Sequence, residues 1–282
     1  VTDTEIDGVN GFTELGTAIN VATFTIGSST YAIVVAHDDA SAPAIEDNGV
    51  QIIDISDPTN IVATDAETHG ENGFTRLMTP SGVATFTIGS NTYAIVTSLL
   101  GIATDTIGSV TIIDISDPAN INETDFEVDE ANGFTELHAA SGVDTFVIGS
   151  STYAIVTSVT DDGVQIIDIS DPANIVAKDA ETDGVNGFTL LDSTTGVATF
   201  TIGSSTYAIV ASFDDDAVTI IGLGNASDGG SSTCARLVIL GNCGTIAINN
   251  DEYQIIDPWS TIPTTEVMVG EPVSITLSTP HN

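Results

Sequence analysis

The sequence is almost devoid of positive charge. Three basic residues, Arg76, Lys178 and Arg236, stand against 40 Asp and Glu in 282 residues, a formal net charge of −37. Binding a phosphate backbone or an anionic lipid surface takes a dense cationic face. Three scattered cations cannot make one, so nucleic acid is excluded as a partner. No apolar run approaches the roughly 18 residues that a membrane-crossing helix requires, so no direct membrane span is expected. Histidine is also scarce: His37, His69, His138 and His281 are the whole set, and none recurs at an equivalent place in the repeats described below. The chain has no H-E-x-x-H, no G-x-S-x-G and no glycine-rich phosphate loop. The commonest signatures of zinc peptidases, serine hydrolases and nucleotide enzymes are therefore missing, and no catalytic residue is assigned. Cysteine occurs twice, as Cys234 and Cys243. The pair fits neither a four-ligand zinc site nor a C-x-x-C redox motif. A disulfide between them, which would place the protein in an oxidising compartment, is the expectation; two buried thiols are the alternative.

What is abundant is apolar content, 41% with a mean hydropathy of +0.26, enough for a packed core despite the charge. Most of it lies in a phrase written four times. TFTIGSSTYAIV begins at Thr23 and recurs, nearly unchanged, at Thr85, Thr145 and Thr199. A second phrase, NGFT, begins at Asn10, Asn72, Asn132 and Asn186, with the same three steps between copies. A fixed period of this length marks units that bury their apolar faces only against one another. Within a unit, alternation in Val83–Ile88 reads as a strand, and Gly89-Ser90-Asn91 as a tight turn. Thr92–Ser98 and Val110–Ser116 read as second and third strands, and Ile121–Val128 as a more polar fourth. Each unit is thus expected to be a four-stranded antiparallel meander, and radial repetition of such sheets makes a β-propeller. In NGFT, Asn-Gly permits positive φ, which lets Phe12, Phe74, Phe134 and Phe188 drop between units as plugs; a surface aromatic for sugar stacking is the alternative. In D-I-S-D-P the second Asp (Asp57, Asp117, Asp171) and the Pro after it set a turn.

The ends suggest how the ring closes. Val1, Thr2, Asp3, Thr4, Glu5 and Ile6 align with a fourth strand, and the last copy reads GLGNA at Gly222–Ala226 where the others read DISDP. The expected fold is therefore all-β: a four-bladed β-propeller over residues 1–224, closed by the N-terminal strand. A Gly/Ser-rich linker over 225–233 and a small β-sandwich-like, Ig-like module over 234–282 follow it.

The repeated GVQIIDISDP, at Gly49–Pro58 and Gly163–Pro172 with a variant at Ser109–Pro118, resembles the LVIVD-repeat β-propeller family, secreted and cell-surface repeat proteins of archaea and bacteria. The resemblance implies an extracellular or cell-surface location and little enzymology.

Two readings of function follow. The first is a non-enzymatic extracellular structural protein, a subunit of a surface layer or filament that self-assembles by strand exchange at free edges. The alternative is a calcium-dependent adhesin or a glycan- or protein-binding propeller. Calcium takes six to eight oxygens from flexible loops, and the loop between the second and third strands offers Asp38, Asp39, Asp161, Asp162, Asp214, Asp215 and Asp216. Solvated charge in Asp-favouring turns is the plainer account of the same residues. Asn122 and Asn225 fit the glycosylation sequon.

Overall fold

The computed structural model describes residues 2–37, 48–99, 107–225, 245–249 and 252–256. No helix occurs among the described residues, and so none long and apolar enough to cross a membrane. The chain divides into two compact units, Val1–Val238 and Ile239–Asn282.

Four antiparallel meanders make the first unit. Blade 1 holds β1 (Ala18–Ile26), β2 (Ser29–Ala36), β3 (Gly49–Asp54) and β4 (Val62–Thr68). Blade 2 holds β5 (Pro80–Ile88), β6 (Asn91–Ser98), β7 (Ser109–Asp114) and β8 (Asn122–Val128). Blade 3 holds β9 (Ala140–Ile148), β10 (Ser151–Ser158), β11 (Gly163–Asp168) and β12 (Val176–Thr182). Blade 4 stops at three strands, β13 (Thr194–Ile202), β14 (Ser205–Ser212) and β15 (Ala217–Asn225). In the second unit the described residues form a hairpin, β16 (Thr245–Asn249) with β17 (Glu252–Ile256). The other strands expected of an Ig-like module, and the Cys234–Cys243 pair, lie outside the described residues.

Local chemistry accounts for the repeat. The first hairpin of each blade turns through a glycine with φ near 63° (Gly27, Gly89, Gly149, Gly203), the conformation that a two-residue loop demands. That turn fixes the register, which sets Phe24 opposite Tyr31 with stacked ring centroids 5.4 Å apart; the other three blades repeat the pair at 5.5 Å. At the D-I-S-D-P turns, Asp57 accepts from the Thr59 amide, and Asp117 and Asp171 accept from Ala119 and Ala173. The hydroxyl and amide of Thr59 hold the Asp57 carboxyl below its ordinary value. Third strands are buried on both faces, whereas the charged fourth strands are half-exposed at the rim.

Two devices join blade to blade. The first threonine of each phrase donates its hydroxyl to the carbonyl of the preceding copy: Thr85 to Thr23, Thr145 to Thr85, Thr199 to Thr145. On the rim, Asp65 accepts from the Ile121 amide of the next blade and Asp125 from Ile175. The NGFT phenylalanines are plugs, with Phe12, Phe74 and Phe134 each 1% exposed. Phe134 sits in one apolar cluster with Ile95 and Ile112 of blade 2 and Ile167 of blade 3. Asn132 and Gly133 reach it through φ of 51° and 90°.

The expected closure is corrected by the structure. Thr2–Ile6 form no strand (Val1 lies outside the described residues), and β15 pairs with β14 alone. The opening segment does reach blade 1, where the Asp3 carboxylate accepts from the Ile61 amide at 2.7 Å, the role that Asp65 and Asp125 play between later blades. It lies where a preceding blade's fourth strand would lie, but blade 4 does not come round to meet it. Inner strands pack in the series β1, β5, β9, β13, with no comparable packing of β13 on β1. The isoleucine of TYAIV is fully buried in the first three blades (Ile33, Ile95, Ile155), yet Ile209 is 36% exposed. Among the described residues the four blades thus form an open arc, with packing from β1 through β13 and none of comparable extent between β13 and β1.

Candidate functional site

First strands start, and second strands end, at one end of the sheets. That end also carries the connectors from fourth to first strands and the turns from second to third strands. Two features meet there: a cleft along the arc's axis and an acidic rim beside it.

The cleft has a volume of about 490 Å³ and is lined by all four inner strands, with Asn20, Ser81, Thr85, Ser141, Asp144 and Thr195 as its polar residues. The Ser81 hydroxyl donates to the Ala140 carbonyl at 2.7 Å and the Ser141 hydroxyl to the Thr195 carbonyl at 3.0 Å. Both are thereby held in place while their lone pairs remain as acceptors. Asp144 occupies the place that Ala22, Ala84 and Ala198 hold in the other copies. Its carboxylate accepts from the amide and hydroxyl of Thr199 at 2.6 and 2.9 Å, so it is fixed between β9 and β13 at the cleft wall. Sequence reading missed Asp144. The signal was present, as one carboxylate in an otherwise constant Val-Ala-Thr.

On the rim, the connectors entering blades 3 and 4 follow one frame. In blade 3 Asp129 accepts from the Leu137 amide, and Asp161 accepts from the His138 amide at 2.8 Å and from the Ser158 hydroxyl. Blade 4 repeats it with Asp183 accepting from Leu191 and Asp215 from Asp192. Of the sequence-predicted aspartates, the fold thus separates Asp161 and Asp215 into different blades. Ser193 draws Asp162 and Asp214 together, its amide donating to the first and its hydroxyl to the second. Asp216 ends the blade 4 turn at φ 51°; Asp38 and Asp39 lie outside the described residues. Asn122 opens β8 on the exposed rim, accessible as a sequon requires; the Asn225 side chain is outside the described set.

Sequence reading also passed over Glu136. It is 5% exposed; Oε1 accepts from the Thr182 hydroxyl, while Oε2 is buried with no hydrogen-bond partner. Burial pushes its carboxyl up to about 7 against the lowering effect of the Thr182 hydroxyl, and the charges of Asp161, Asp129 and Asp162 push the same way. Burial likewise raises Asp129 and, on the neighbouring frame, Asp192. A carboxyl whose folded pKa lies above its unfolded value destabilises the fold as pH rises between the two. Stability in metal-free buffer should therefore fall between about pH 4.5 and pH 7, by on the order of 2–3 kcal/mol from this group. Glu136→Gln should flatten that segment. Urea melts of both proteins at pH 5 and pH 8 check it, and equal losses in the two would rule out Glu136 as the cause.

The LVIVD repeat model matches residues 44–64, 103–126 and 150–180, which span the third strands and D-I-S-D-P turns of blades 1 to 3. The chain carries LVIVD repeats. No curated protein matches it in sequence. Several solved structures share the fold of this LVIVD-repeat chain. A GH32 β-fructofuranosidase from Bombyx mori superposes with a TM-score of 0.51 at 10% identity, over 86% of this chain and 55% of that one. The LVIVD-repeat chain thus spans about half of that enzyme's length. A family 117 glycoside hydrolase of the marine bacterium Zobellia galactanivorans gives 0.52 at 11% identity, over 86% and 75%. A GH43_1 enzyme from Xanthomonas citri, complexed with xylose, gives 0.51 at 8%, over 86% and 81%. Such distant likenesses show the fold. They overturn the expectation of a non-enzymatic subunit of a surface layer or filament. The fold carries glycoside hydrolases, so a repeated propeller architecture is no argument against catalysis.

Proposed function

We propose that this LVIVD-repeat chain is a glycan-binding propeller that takes a neutral saccharide in its axial cleft. The observation that carries the reading is Asp144, the one carboxylate among the described residues of the cleft, with Ser81, Ser141, Thr195 and Asn20 around it. Fixed hydroxyls and a carboxylate acceptor suit the vicinal hydroxyls of a sugar, which need acceptors held in place. A chain of net charge −37 repels anionic glycans, so neutral ones fit. The glycoside hydrolases of similar fold support the reading through the fold they share. An extracellular setting, where polymeric glycans are met, belongs to the same proposal.

Calorimetry with xylose, sucrose and neutral xylo- and fructo-oligosaccharides, with and without calcium, tests it. Asp144→Ala restores the residue of the other three copies, so the blade should fold. Hydrogen bonds to a charged group contribute about 1.5–3 kcal/mol, so affinity should drop at least tenfold. No heat from any saccharide at millimolar concentration, or binding indifferent to Asp144→Ala, would sink the proposal. Reducing-sugar release during the same incubations reads hydrolysis directly.

A further inference from the structure

We propose that the rim of blade 3 binds one divalent transition-metal ion of the zinc class through Asp129, His138 and Asp161, with Glu136 as the adjoining carboxylate. One ligand atom from each of Asp129, His138 and Asp161 lies within 4.8 Å of the others. His138 Nδ1 and Asp161 Oδ1 are 3.9 Å apart. Zinc–nitrogen and zinc–oxygen bonds are about 2.0–2.2 Å and the preferred geometry is tetrahedral, which puts donors about 3.4 Å from one another. His138 Nδ1 and Asp161 Oδ1 would close by about half an ångström, a shift within reach of side-chain rotation, and Asp129 would draw in with them.

Glu136 is the independent observation. Its Oε2 is buried without a partner and points at the Asp161–Gly163 turn, where it would lie 2.1 Å from a Cβ built on Gly163. A buried orphan carboxylate oxygen is costly unless a proton or a cation neutralises it, and the charges of Asp161 and Asp129 act on this one. The donors are also pre-aimed. Backbone amides of Leu137 and His138 hold one oxygen of Asp129 and one of Asp161, and the Ser158 hydroxyl holds Asp161 again, as outer-shell contacts do in metal sites.

The choice of ion follows from the donors. Imidazole among carboxylates suits zinc and its neighbours, whereas calcium takes oxygen alone. Blade 4 is an internal control, since the same frame there has Leu190 in place of Glu136 and Asp192 in place of His138. Bound metal would tie the connector entering blade 3 to the turn between β10 and β11, and would stabilise the folded chain by mass action.

The test uses the full chain, stripped with chelator and then titrated in high salt to suppress diffuse counterion binding. Zn²⁺ should bind at one site per chain with a raised Tm, and Co²⁺ should give a saturable visible ligand-field band. His138→Ala should abolish the band and weaken Zn²⁺ at least tenfold; Glu136→Gln, which keeps shape, should weaken it less. Asp183→Asn in blade 4 should leave it unchanged. Many equivalent weak sites, a Co²⁺ band that survives His138→Ala, or Ca²⁺ bound as tightly as Zn²⁺ would overturn the proposal. These readouts do not involve saccharide, so they stand or fall separately from the cleft.

Discussion

Phe134→Ala should lower the unfolding free energy by about 3–5 kcal/mol, the range for deleting a fully buried phenyl ring from a core that cannot collapse around the gap. Phe134 is 1% exposed and belongs to the apolar cluster that also holds Ile95, Ile112, Leu137 and Ile167, a cluster shared by blades 2 and 3. Neither sheet can move in to fill the space without breaking the threonine ladder and the Asp125–Ile175 contact that set their spacing. Phe134→Leu, which keeps most of the volume, should cost less than half as much. Chemical denaturation of the two variants gives the comparison. A loss under 1 kcal/mol in Phe134→Ala would mean that the ring is not a plug, and that blade packing does not depend on it.

Gly82→Ala and Gly196→Ala should differ in sign, although the two glycines occupy the same place in their copies. A Cβ on Gly82 would lie 2.4 Å from the Ser141 carbonyl oxygen of the next inner strand and 2.8 Å from the Thr97 hydroxyl. Backbone of blade 3 would have to shift, at a cost of about 2–4 kcal/mol. Gly196 has nothing within 4 Å of its Cβ position, because no inner strand follows β13 closely. Alanine there removes freedom from the unfolded chain and should be neutral or stabilising by up to about 1 kcal/mol. Thermal melts of the pair report on the arc directly. Equal losses would show that β13 has a close neighbour in solution and that the ring closes.

The blades are legible in the sequence because every repeat states the same local instructions. Glycine at the hairpin turn, Asn-Gly before the plug and Asp at D-I-S-D-P each act within a few residues, and copying them four times removes ambiguity. The plugging role of Phe12, Phe74 and Phe134 could be read for the same reason: a positive-φ pair throws the next ring inward whatever surrounds it. The candidate site was less legible. Asp144 announces itself only as a departure from Ala22, Ala84 and Ala198, and Glu136 is one carboxylate among 40 acidic residues until burial singles it out.

Closure followed a different logic. The similarity of residues 1–6 to a fourth strand led to the expectation that they complete blade 4; the structure instead places Asp3 against Ile61 of blade 1, with no strand formed. Whether blade 4 meets the same segment depends on the angle between neighbouring sheets, accumulated over three interfaces. That angle comes from side-chain volumes packed between faces far apart in the chain, and no short phrase encodes it. Strand content, turns, plugs and acidity are local or additive properties, so the amino-acid order suffices for them. The open arc, the cleft it surrounds and the pairing of His138 with Asp129 and Asp161 exist only once separate blades are packed, because each is a distance between residues that the chain itself leaves unconstrained.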